Sequence, residues 1–226
     1  MSRAPAVFLV GAGTEIGKTY VTAALTRRLR VSGRAVRTLK PLASGVPPLD
    51  DPSFGESDTA RLLAAQGLPV TPETVAACSP WRFAAPLSPD LAAAREGRSL
   101  ALNDLVGWCR AQITALPPDT TLLIEGVGGL MSPVTADATG LDWLKALGMP
   151  ALLVSGSYLG AISHALTAIE VLRAHGVPLL GTVICESAEA PTPPGTVAAA
   201  IARHGATASH IVTRDGACPE ALARLV

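Results

Sequence analysis

Gly11, Gly13, Gly17, Lys18 and Thr19 fall together in GAGTEIGKT, between the apolar run AVFLV (6–10) and a segment of helical periodicity. In that setting successive backbone N–H groups and a helix N-terminus surround phosphate oxygens. The Lys18 ammonium reaches the outer phosphates, and the Thr19 hydroxyl is a ligand for Mg²⁺. Five residues separate Gly11 from Gly17, one more than in the usual phosphate loop. A dinucleotide turn of the GxGxxG kind fails at Ile16, where the third Gly belongs. It fails again at Lys40, where an acid should meet a ribose.

A phosphate site needs further charge, and two other segments end apolar runs on ionisable residues. TLLIEGVGGL closes at Glu125 and continues through Gly126, Val127, Gly128 and Gly129, so a carboxylate emerges beside backbone that a ligand can approach. TLKPLASG closes at Lys40, and Asp58 in GESDTARLL is a third charge, borne on a loop. Open α/β sheets bind ligands at the carboxyl ends of their strands. Taken singly, each has a plainer reading: Ser57 or Asp58 as a helix cap, Glu125 as a lone acid, Lys40 as a solvated cation.

The elements that must position these residues alternate in type. Apolar runs at 6–10, 35–39, 121–125, 151–155, 179–184 and 209–213 read as strands covered on both faces. Helical periodicity runs over 18–30, 102–116 and 161–175. The pattern is that of a doubly wound α/β domain, a mostly parallel sheet with helices on both faces. The Pro-, Gly- and Asp-rich stretch 44–58 reads as a long functional loop, and 189–195 as a second exposed loop.

Composition narrows the partners. With 49% hydrophobic residues over 226, the chain can bury one sizeable core. Eighteen basic residues balance eighteen acidic ones, which leaves no field to gather nucleic acid or an acidic membrane. Residues 146–169 carry no charged side chain and are long enough to span a bilayer, but Pro150, Gly156 and Gly160 divide them into a strand and a helix. Cys78, Cys109, Cys185 and Cys218 show no metal or redox spacing and read as reduced thiols of a cytoplasmic protein. Arg3 and the short apolar run after it lack the long core of a signal peptide. Trp81, Trp108 and Trp143 read as core or interface anchors, and His175, His204 and His210 as structural.

The phosphate loop, KPLASG (40–45), SD (57–58), PLSP (86–89), IEGVGGL (124–130) and LGAISHALTAIEVL (159–172), in this order, resemble the dethiobiotin synthase family. The resemblance implies a single ATP-dependent ligase domain over 1–226, of the P-loop NTPase type. It implies a reaction in which CO₂ is joined to the two neighbouring amines of 7,8-diaminononanoate through a carbamate phosphorylated by ATP. It makes Lys18 and Lys40 the catalytic cations and Thr19, Asp58 and Glu125 the Mg²⁺ ligands. Nucleotide contacts fall to Gly13, Thr14, Glu15, Ile16, Gly17, Lys18, Thr19, Tyr20, Asp58, Glu125, Gly126, Val127, Gly128, Cys185 and Glu186. Ser44 meets the carbamate or ring oxygen. In a homodimer, Gly160, Ala161 and Ser163 of the neighbouring subunit hold the substrate's carboxylate tail.

The chain departs from the family at Cys185 and Glu186, where an Asn commonly reads the adenine edge, and in a C-terminal tail without the Pro-containing purine contact. Since a thiol is a weak hydrogen-bond partner, looser use of nucleoside triphosphates is expected. Ser163 stands where Asn is frequent, and His164 is open to a packing or a functional role. Two rivals share the loop and fold. A cobyrinate-amidase-like amide ligase would carry a glutamine-hydrolysing domain, and a partitioning ATPase an extra Lys at Ala12 or Gly13.

Overall fold

The computed structural model describes residues 6–226, so Arg3 lies outside it. In chain order the strands are β1 (Ala6–Gly11), β2 (Val36–Leu39), β3 (Leu42–Ser44), β4 (Trp81–Phe83), β5 (Thr121–Glu125), β6 (Ala151–Ser155), β7 (Leu179–Cys185) and β8 (Ser209–Val212). The helices are α1 (Lys18–Val31), α2 (Asp58–Gln66), α3 (Pro72–Cys78), α4 (Pro89–Arg95), α5 (Leu102–Thr114), α6 (Gly140–Leu147), α7 (Ala161–Ala174), α8 (Pro194–Gly205) and α9 (Glu220–Ala223).

All six sequence-predicted strands form one sheet, ordered β2-β5-β1-β6-β7-β8, and every pair in it is parallel. The unbroken apolar runs have the cause expected of them. Phe8 and Val10 of β1 enter one core, where Phe8 meets Trp143 of α6 edge-on at 4.9 Å, while Val7 and Leu9 enter another with Leu25 and Leu29 of α1. Side chains alternate across a strand, so a strand covered on both faces must be apolar throughout. Residues 146–169 divide into β6 and α7, and among the described residues no helix is long and apolar enough to cross a membrane.

The strand order fixes where chemistry can occur. β1, β5 and β2 are neighbours, with Leu9 level with Glu125 and Leu39 level with Ile124. The Gly-rich loop, Glu125 and Lys40 therefore leave the sheet side by side at one edge. Gln66 of α2 closes the β2 side: its amide accepts from Thr38 N at 2.8 Å and donates to Thr38 O at 3.0 Å, as another strand would. That clamp also aims the N-terminal end of α2 at the strand tips.

Stretch 44–58 is more ordered than its composition suggests. It holds a 3₁₀ turn over Pro52–Glu56, capped by Asp51, whose Phe54 is buried. Ahead of it, β3 pairs in parallel with β4, a separate two-stranded sheet outside the sequence expectation. Trp143 is a core residue, and Trp81 and Trp108 pack edge-on at 6.0 Å.

Candidate active site

The loop from Gly11 to Thr19 starts α1 with Gly17 as N-cap, at φ 90°. No L side chain fits there readily. A Cβ on Gly17 would also overlap the Cys185 sulfur, so glycine is required twice over. Glu15 takes a positive φ of 56°, which completes a turn of successive N–H groups ahead of the helix. The segment after β5 packs against this turn: Leu130 N donates to Gly11 O at 2.8 Å, and a Cβ on Gly129 would come within 3.3 Å of Gly13 Cα. Gly129 thus serves a close approach of two backbones, while Gly128 takes a positive φ of 61°.

At the floor lies an ionic knot. Lys40 Nζ sits 2.6 Å from Glu125 Oε1 and 2.8 Å from Asp58 Oδ2, and Thr19 Oγ1 donates to the same Glu125 oxygen at 2.6 Å. Lys40 is 3% exposed and Glu125 0%, so both charges are desolvated. Burial opposes the charge on Lys40, but Glu125 and Asp58 outweigh it and hold the ammonium above its ordinary pKa. Burial likewise opposes the Asp58 carboxylate, and Lys40, Thr19 and Lys18 outweigh it, so its pKa falls.

Lys18 differs. Among the described residues its Nζ donates only to Gly13 O within the same loop, at 3.0 Å. Burial, then repulsion from Lys40, pushes its pKa down from 10.5 to about 8, with Glu125 and Asp58 pulling the other way.

These residues open into a cavity of about 630 Å³. Thr14, Glu15, Gly17, Lys18, Thr19 and Tyr20 line it from the loop, Lys40, Ser44 and Asp58 from the β2 side, and Val127 and Gly128 from beyond β5. Glu125 lies beneath this lining, and Gly126 meets Lys40 through its carbonyl at 3.4 Å. The expected loop, Lys40, Ser44, Asp58 and Glu125 are brought together. Ser57 caps α2 by accepting from Ala60 N at 3.2 Å while Asp58 faces Lys40, so the capping and the functional readings fall to adjacent residues.

Other expected contacts lie apart. Gly13 and Ile16 line a second hollow of about 520 Å³ on the other flank of the loop, with Tyr158, His164 and Ser187. Cys185 is buried against Gly17, with its thiol pushed up to about 11 by burial. Glu186 accepts from Arg214 N at 2.9 Å, and neither Cys185 nor Glu186 lines the main cavity. Gly160, Ala161 and Ser163, at the start of α7, do not line it either. His164 bonds the Tyr158 hydroxyl through Nδ1 at 2.9 Å.

Sequence reasoning gave no role to Arg61, Ser88 or Ser132, which also line the cavity. The segment PLSP did carry a signal for Ser88. Nothing in the pattern marked Arg61.

The donors here are hard oxygens. Glu125 Oε2 is buried without a partner among the described residues, while Oε1 of the same carboxylate accepts from Thr19 Oγ1 and from Lys40 Nζ, which also meets Asp58. No cluster of three His, Cys, Asp or Glu suited to a metal occurs among the described residues. That set fits Mg²⁺, which binds through one or two carboxylates together with substrate phosphates rather than in an all-protein cage.

Parallel sheet, phosphate loop and buried cations define a P-loop nucleoside triphosphate enzyme. A family model described as an AAA domain matches residues 5–214. The chain is 71% identical to the ATP-dependent dethiobiotin synthetase BioD of Methylobacterium nodulans, over 94% of this chain and 95% of that one. It belongs to the ATP-dependent dethiobiotin synthetase family, ligases of biotin biosynthesis that form a C–N bond. The relative from Acidiphilium cryptum is 43% identical, over 92% of each chain. Among solved structures, a ParA family ATPase from Chlorobium tepidum aligns with TM-score 0.53 at 12% identity, over 94% of this chain and 86% of that one. A MinC:MinD complex from Aquifex aeolicus aligns with TM-score 0.53 at 11% identity, over 93% and 81%. Those two likenesses concern the fold alone.

Proposed function

We propose that this chain is a single cytoplasmic ligase domain that closes 7,8-diaminononanoate and CO₂ into the cyclic urea of dethiobiotin, with ATP as co-substrate. The observation that carries the reading is the buried knot of Lys40, Glu125, Asp58 and Thr19, next to Lys18 and under a cavity that also holds Ser44.

The route follows from charge. One neutral amine adds to CO₂ and loses a proton, giving a carbamate anion. Its oxygen attacks the terminal phosphorus of ATP, the bond to the bridging oxygen breaks, and ADP leaves. The second amine then attacks the carbonyl carbon of the carbamic-phosphoric anhydride. Phosphate departs with its bonding electrons, and the ring closes as the nitrogen loses its proton. The phosphoryl transfer brings two anions together, so its barrier is lowered chiefly by fixed positive charge. Lys40, locked by two carboxylates, supplies that charge at the carbamate, and Lys18 supplies it at the phosphates. Ser44 orients the carbamate by donating a hydrogen bond. Mg²⁺, held by Thr19, Asp58 and Glu125, supplies charge neutralisation across the phosphates when bound.

The start of α7 stands away from the cavity of its own chain, and Leu159 beside it is 88% exposed. A homodimer that brings Gly160, Ala161 and Ser163 of one subunit over the cavity of its partner accounts for both facts. There the free N–H groups of the helix start meet the substrate's carboxylate.

Nucleoside choice is relaxed in this reading, because Cys185 is spent in packing against Gly17 and Glu186 in holding Arg214 N. Comparing turnover with ATP, CTP and GTP tests this point, and a strong preference for ATP would overturn it. The activity itself is tested with diaminononanoate, labelled bicarbonate, Mg²⁺ and ATP. Acid-stable label with ADP release is expected. ATP hydrolysis without labelled product, stimulated by a macromolecular partner, would overturn the assignment.

A further inference from the structure

Arg61 stands on α2 three residues after Asp58, and positions three apart lie about 5–6 Å from one another on the same helix face. Asp58 is turned inward by its bond to Lys40 Nζ at 2.8 Å. Arg61 lines the same cavity as Asp58, Lys18 and Thr19, and its side chain is exposed there. No hydrogen bond or ion pair engages it among the described residues.

The balance of charge says what such a group is for. At the floor, the ammoniums of Lys18 and Lys40 face the carboxylates of Asp58 and Glu125, two charges of each sign. Those four groups sum to no net charge, and the lining adds one further anion, Glu15, and one further cation, Arg61. Arg61 is a lining cation with no ion pair to a carboxylate among the described residues. Its planar fork matches two oxygens of a phosphoryl group, and it stands one turn from Asp58, on the lining of the cavity that Lys18 and Thr19 share.

We propose that Arg61 binds the terminal phosphate of the nucleoside triphosphate and so makes the site prefer triphosphate over diphosphate. The inference rests on the reading of this cavity as the triphosphate site, and it names a residue that neither the phosphate loop nor the strand tips include.

The test compares Mg²⁺-ADP with a non-hydrolysable Mg²⁺-ATP analogue by calorimetry, in the wild-type chain, Arg61→Gln and Arg61→Lys. Arg61→Gln is expected to weaken the analogue about 10- to 100-fold, the range of a charge-assisted bond, and to leave ADP unchanged. Arg61→Lys should recover part of the loss, keeping the charge without the fork. In turnover, Arg61→Gln should raise KM for the nucleotide and leave KM for the diamine alone. Equal weakening of both nucleotides, no change in either, or a rise confined to the diamine KM would each overturn the proposal. Unchanged ADP affinity is also the control for folding. Because the binding comparison needs no amine substrate, it reads Arg61 even where the ring-closing assay fails.

Discussion

The phosphate loop and the tips of β2 and β5 each present one buried lysine, and the two are held in opposite ways. Lys40 is clasped by Glu125 and Asp58, which keep it charged despite burial. Lys18 hydrogen-bonds only a carbonyl among the described residues, and burial pushes its pKa down to about 8 against the weaker pull of Glu125 and Asp58. The contrast separates a cation that is part of the protein's frame from one whose counter-ion is the substrate. The frame charge costs little once folded. The other stores an unfavourable desolvation that a phosphate relieves.

Lys40→Ala should have the largest effect, since it removes charge from the reacting centre and strands the buried Glu125 carboxylate. A loss on the order of 10³-fold or more in turnover is expected, roughly 4 kcal/mol of barrier, with about 3–5 kcal/mol of folding stability. Near-normal rates would remove Lys40 from the mechanism and break the contrast. Lys18→Met should also cost on the order of 10³ in turnover, yet make the nucleotide-free protein more stable at neutral pH. Between pH 8 and 10.5 the unfolded chain keeps the Lys18 proton that the folded chain has lost, so wild-type stability rises with pH there through this group. Below pH 8 the penalty is present in full, about 3 kcal/mol at most. The stability gap between Lys18→Met and wild type, from denaturant melts, should therefore be widest below pH 8 and close towards pH 10.5. A gap independent of pH would place Lys18 with Lys40. The smallest signal is a proton: nucleotide binding near pH 9 should raise the Lys18 pKa and take up a fraction of a proton, measured as a dependence of calorimetric enthalpy on the buffer. Lys18→Met should abolish it.

Much of this was legible in advance for reasons of short range. The inner strands β1, β5 and β6 are nearly continuous in apolar residues because both their faces are covered, and Lys40 and Glu125 announce themselves as charges ending such runs. The β3–β4 pairing was not legible. It joins Leu42 to Trp81 through strands of three residues, too short for a period to declare itself. Arg61 escaped for another reason: its entry into the site depends on how α2 lies against β2, which Gln66 settles through the Thr38 backbone. Cys185 was placed among the nucleotide contacts by the family resemblance alone, and its sulfur packs under the loop, where Gly17 has no side chain.

The level pairing of Leu9 with Glu125 acts as a ruler. One residue inserted into TLLIE would advance the carboxylate by about 3.3 Å and turn it to the opposite face of the sheet. The apolar side chains of β5 would tolerate this, because both sides of the strand accept apolar groups. The catalytic floor would not, because Lys40 and Thr19 wait on one side only. A variant of that kind would lose activity and, with Glu125 stranded among apolar groups, folding stability as well, so strand length here is under functional and structural control together.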